Sequence, residues 1–215
     1  MTATLQPLSP PHKGLRHAIG LVCFHAGKID HLDLSSQVRL RRVADDLSRL
    51  LIDHEDNEEQ FIFLPLSERC ELDLSVWRTR HKELATEQSS LLGRLRSVPP
   101  EGASYFYEQY LEVSRLQSKY LDLMFWEDVT LEPLMRQHFS DDELIGHQIA
   151  IMQKTPIDLL TLWFKYIVPA RQLSENIQVL KAFRTSASSE LFNQIMGQLQ
   201  ETVDAESLAA LREAI

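Results

Sequence analysis

Apolar residues recur along most of the chain at alternating spacings of three and four, the signature of amphipathic helices and not of strands. The 7 glycines and 9 prolines read as punctuation at segment edges. The pattern predicts a first helix from about Pro11 to His31, with Leu15, Ile19, Val22, Ala26 and Ile29 as its apolar stripe. After a turn at Leu34–Ser36, a second helix runs to Phe63 with Val43, Leu47, Leu50, Leu51 and Phe61 inward, and Pro65 marks its end. The third spans about Asp73–Arg96, carrying Trp77, Leu84, Leu91 and Leu95, and the fourth about Ser104–Gln137, carrying Phe106, Tyr110, Val113, Tyr120, Met124, Leu131 and Leu134. Four long amphipathic helices with short connections predict an all-α fold, an up-down-up-down four-helix bundle over residues 1–139. Beyond it, Ser140 and Glu143 have capping-box spacing and start a shorter helix near Asp141. Thr155-Pro156 starts another, ended by Pro169, and Ser174 and Asp204 read as caps of the last two. Residues 140–215 are expected to pack on one side or end of the bundle, or to form a homodimer contact, without being an independent domain; their stripes show no chemistry.

Chemistry enters where polar residues break the stripes. In the second helix the inward series reads Leu47, Leu50, Leu51, then His54 and Glu58, so a histidine and an acid stand on the face that should be dry. His12 lies on the stripe of the first helix, His81 falls between Trp77 and Leu84 in the third, and Glu127 between Met124 and Leu131 in the fourth. One His-x-x-x-acid pair is about what chance supplies in a chain of this composition, so depth is the sharper test. Measured from the first turn, His12 and the His54–Glu58 pair both lie roughly 30–36 Å along their helices. Around the second turn Glu58 and His81 match to about one helical turn, whereas His81 and Glu127 differ in distance from the third connection, so the fourth helix overhangs or starts elsewhere than Ser104. Buried imidazoles and carboxylates at one level cost several kcal/mol each unless paired or metal-bound. Histidines and carboxylates without thiolate suit iron, or manganese, better than magnesium or structural zinc.

Composition narrows the partners. Lys plus Arg number 22 against 31 Asp plus Glu, a net charge of −9 with the basic residues scattered, which excludes a nucleic-acid or anionic-membrane surface. The start MTATLQPLSPPHKG resembles no signal peptide and no apolar run suits a membrane span, so a cytoplasmic protein is expected. Cys23 and Cys70 lack metal or disulfide spacing and read as reduced thiols. His17, His25 and His31 point away from His12 and read as surface or helix-end residues. Trp77, Trp126 and Trp163 read as core or helix-contact residues. Glu55, Asp56 and Glu59 form a solvated flank, with Glu59 a substitute ligand in reserve.

At these positions the sequence resembles the hemerythrin-like, HHE cation-binding family, whose four-helix bundle holds a non-haem di-iron centre. His12-Lys13-Gly14-Leu15-Arg16 looks like its first-helix motif, followed by Asp30; His54-x-x-x-Glu58 with Phe61 looks like its second. His81 stands where its third helix supplies histidine, and Glu127-Asp128 followed by His138–Leu144 resembles the end of its fourth. The resemblance implies that His12 and His54 hold one metal, that Glu58 and Glu127 bridge, and that His81 alone faces a second. The chain departs from the family at Leu123, Trp77 and Ala85, where further histidines are usual, so one half of the site looks intact and the other stripped. Three readings follow: a non-enzymatic iron protein handling or sensing iron, dioxygen, nitric oxide or peroxide; a metal-poor bundle acting as a protein-interaction module; and an iron oxidase or peroxidase.

Overall fold

The computed structural model describes residues 6–30, 32–71, 73–96 and 103–215, and among them every regular element is helical. Helix α1 (Ser9–Gly27) opens with prolines in its first turn, where their missing N–H groups cost nothing, and buries Leu15, Ala18, Ile19, Val22 and Ala26 along with His12. Helix α2 (Leu34–Glu58) is capped by Asp33, whose side chain accepts from the Ser35 amide, two residues earlier than the predicted start.

The expectation that Pro65 ends this helix is not met. A π turn (Glu59–Phe63) follows α2 and runs directly into α3 (Leu64–Arg69), so helical backbone continues to Arg69 with Pro65 near the start of α3. Proline has no N–H and its ring crowds the carbonyl four residues back. The turn just before it is wider than α: the Leu64 amide reaches the Glu59 carbonyl, five residues back. The extra residue also rotates the stripe, so Ile62, Phe63 and Leu66 are buried and Phe61 only partly so.

Helices α4 (Ser75–Arg96) and α5 (Ala103–His138) complete the long elements, and Pro133 lies inside α5 instead of at an edge. At 36 residues against 22, α5 overhangs α4, which accounts for the depth mismatch between His81 and Glu127 with the helix start close to its predicted place. Helix α1 packs on α2 and α5, α2 on α4, and α4 on α5, closing a ring of four pairings.

Helix α6 (Asp141–Lys154) starts with the predicted capping box at Ser140 and Glu143. Helix α7 (Ile157–Ile167) packs against α1 and α2, and a short 3-10 turn carries it through Pro169. Three helices follow instead of two: α8 (Leu173–Ser186), α9 (Ser189–Leu199) and α10 (Ala205–Ala214). Gln172 caps α8 in a box with Glu175, leaving Ser174 inside the first turn, while Asp204 caps α10 as expected. Helix α7 serves two cores. Leu162, Trp163 and Tyr166 join the core of α1–α5, whereas Phe164 and Val168 join Leu180, Phe183, Ile195 and Leu199 of α8 and α9. No helix among the described residues is long and apolar enough to cross a membrane.

Candidate metal centre

The side chains singled out by the sequence meet in the middle of this ring. His12, His54, Glu58 and Glu127 are buried, and each offers a ligand atom within 4.8 Å of the others. His12 comes from α1 immediately after the proline turn, His54 and Glu58 from consecutive turns of α2 just before the π turn, and Glu127 from the middle of α5. The Nε2 atom of His12 lies 3.6 Å from Glu58 Oε1 and 3.5 Å from Glu127 Oε2, and His54 Nε2 lies 3.3 Å from Glu58 Oε1. His81, on α4, stands at the far side, with Nε2 2.7 Å from Glu127 Oε1 and 3.5 Å from Glu58 Oε2.

Hydrogen bonding divides these residues into two classes. His81 Nε2–H donates to Glu127 and is satisfied within the protein. By contrast, His12 Nε2, His54 Nε2, both Glu58 oxygens and Glu127 Oε2 are buried without any hydrogen-bond partner. Orphaned buried polar atoms are rare in folded proteins, and each costs about 1–3 kcal/mol. Here they converge on one point, with two imidazole nitrogens facing carboxylate oxygens, a donor set that fits a cation. His12 is prepared for that role: its Nδ1–H donates to Asp128 Oδ1 at 2.6 Å, leaving Nε2 turned inward, where a metal would displace its proton. Arg16, one turn along α1, donates from Nη2 to Asp128 Oδ2 at 2.7 Å and holds the carboxylate in place.

The electrostatics follow from this packing. Burial works against a charged His12, but Asp128, Glu58 and Glu127 overcome it and raise its pKa to about 9. His81 is likewise raised to about 9, burial being outweighed by Glu127 and Glu58. His54 is dominated by burial and lowered to about 4. Burial pushes Glu58 up, yet the surrounding imidazoles hold it below the ordinary carboxylate range, whereas burial and the Glu58 charge push Glu127 above it.

Other expectations land elsewhere. Glu59 forms a bidentate ion pair with Arg78 at the surface and is not directed at the centre. Glu55 is not solvated: it is half-buried, accepts weakly from the Tyr120 hydroxyl at 3.4 Å, and burial raises its pKa to about 7. Asp30 caps the turn after α1 by accepting from the Leu32 amide. His17 lies against α7, its Nδ1–H donating to the Tyr166 carbonyl at 3.1 Å, and His31 lies outside the described residues. Trp77 and Trp126 contact each other, and Trp163 donates to Asp53 while its ring lies edge-on to His54. Leu123 is buried one turn before Glu127.

No family model matches the chain, and neither a curated protein nor a solved structure does. What the site can do therefore rests on its own geometry.

Proposed function

We propose that the chain is a hemerythrin-like, non-haem iron-binding protein. In this reading α1, α2 with α3, α4 and α5 form an up-down-up-down bundle, and His12, His54, Glu58 and Glu127 hold one iron ion. The protein then handles or senses iron, or a small diatomic or peroxide ligand of it. The observation that carries the reading is the convergence of unpartnered buried atoms from His12, His54, Glu58 and Glu127. Two imidazoles with carboxylate oxygens and no thiolate favour iron or manganese over structural zinc. When bound, iron supplies a redox-active Lewis acid with coordination positions left open to a small molecule.

The chain's own residues do the rest. Asp128, anchored by Arg16, fixes the His12 tautomer and ring orientation. Packing around α1 and α5 keeps His12 and Glu127 out of contact with solvent, both being 0% exposed. His81 occupies the remaining Glu127 oxygen with its own hydrogen bond, which favours one metal over two.

The test is metal content. Protein loaded with ferrous iron without oxygen and then desalted should retain about one iron per chain. His12→Gln and His54→Gln should each abolish retention without loss of helicity by circular dichroism. Folded, unmodified protein that retains no iron after loading would overturn the proposal.

A further inference from the structure

A cavity of about 260 Å³ adjoins the metal centre. Its inner end is formed by His54 and Glu58, and its walls are apolar, with Leu8, Ile62, Met135, Ile151, Phe164 and Ile167 contributed by the start of α1, the π turn, α5, α6 and α7. Met152 of α6 and Val179 of α8 line it too, and both are exposed, so it opens to solvent between those helices. Its volume is far above the roughly 10–15 Å³ that one water needs, so the space takes a small organic molecule. Mostly apolar concavities with a few convergent polar groups are the usual form of small-molecule sites.

Two polar side chains of its lining, Asn57 and His147, specify more. Asn57 is buried and its Nδ2 donates to Asp53 Oδ2 at 3.0 Å, the same oxygen that accepts from Trp163 Nε1 at 2.8 Å. A carboxylate offers only acceptors, so the amide nitrogen must face Asp53 and Oδ1 must point away. That Oδ1 is buried and has no partner, and His147 Nδ1, on the opposing helix α6, is also buried and unpartnered. Asn57 Oδ1 requires a hydrogen-bond donor, and an imidazole nitrogen can accept or donate. A hydroxyl group satisfies either residue; an ether, ester or hydrocarbon cannot satisfy Asn57.

We propose that this cavity binds a small apolar molecule bearing one hydroxyl group, with its apolar body between α6, α7 and the start of α1 and its hydroxyl donating to Asn57. The inference rests on the iron-binding reading only for what stands at the inner end, since the walls and Asn57 are in place without a metal.

Calorimetric titration of the full chain, metal-free and iron-loaded, with 1-octanol and with 1-methoxyoctane tests it. The alcohol should bind with one-to-one stoichiometry and about tenfold more tightly than the ether, the worth of one hydrogen bond to a buried acceptor. Asn57→Leu should shrink that difference to about twofold or less while leaving the ether affinity unchanged. Met152→Trp, at the exposed mouth, should weaken both probes without loss of fold. Equal affinity for the two probes, no binding to either form, or binding that ignores Met152→Trp would each overturn the proposal. The two readings fail separately. Protein that takes up no iron but prefers the alcohol refutes the metal and supports the cavity, whereas protein that binds iron but neither probe does the reverse.

Discussion

Asp128 shows how a residue outside the donor set can govern it. Its carboxylate links the His12 ring to Arg16, so its removal frees the ring to rotate and leaves the Arg16 guanidinium without that anion. Partners of this kind are worth about 10–100-fold in metal affinity, and Asp128→Ala should weaken iron binding by that factor in competition with a chelator of known strength. Leu123 tests the opposite change. Leu123→His places an imidazole one turn before Glu127, and metal content should rise from about one toward two per chain as a second position gains a nitrogen ligand. Two tightly held irons in the unmodified protein would refute the premise. His12, His54, Glu58, His81 and Glu127 were legible in the sequence because each interrupts an apolar stripe. Asp128 and Arg16 stand in the motifs that resemble the hemerythrin-like family, but their role in orienting His12 was not legible, because both sit on part-exposed flanks where charged residues are ordinary. Asn57 and His147 gave no signal either, since their role depends on a cavity formed by helices distant in sequence.

Two glycines of α1 separate packing from propensity. A Cβ on Gly14 would lie 2.8 Å from Ile167 Cγ1, so α7 approaches α1 as closely as it does only because that position is bare. Gly14→Val should push the helices apart and lower stability by about 1–3 kcal/mol, read as a fall in the urea midpoint. Gly20 has open space around it, and Gly20→Ala should raise stability by about 0.5–1 kcal/mol through helix propensity alone. At this scale the positions of the long helices were legible and their ends less so. Periodicity locates α1, α2, α4 and α5, but the π turn lets the second helix pass Pro65, and Asp33 and Gln172 displace the expected starts. Capping depends on a few local hydrogen bonds, which a hydrophobic pattern does not record.

For the whole molecule, the centre couples metal-free stability and iron affinity to pH with opposite signs. His12 and His81 are raised from 6.5 to about 9, so the stability they contribute is complete below pH 6.5 and is lost as pH rises through 9. Glu127, also raised, acts in the same direction at lower pH, while the lowered Glu58 contributes stability above its ordinary range that is lost on acidification. Metal-free protein should therefore show a falling urea midpoint between about pH 6.5 and 9. Iron affinity should rise over the same window, because the metal competes with protons for His12. An affinity that does not change with pH across that window would show that His12 is not a ligand. The partners of α1 add a consequence in time. His12 is 116 residues from Asp128, and Lys13 is 162 from Glu175. At about 5–20 residues per second of synthesis, Asp128 is made about 6–23 s after His12. The nascent chain carries His12 through that interval before the centre can assemble, and α7 and α8 close the cavity last.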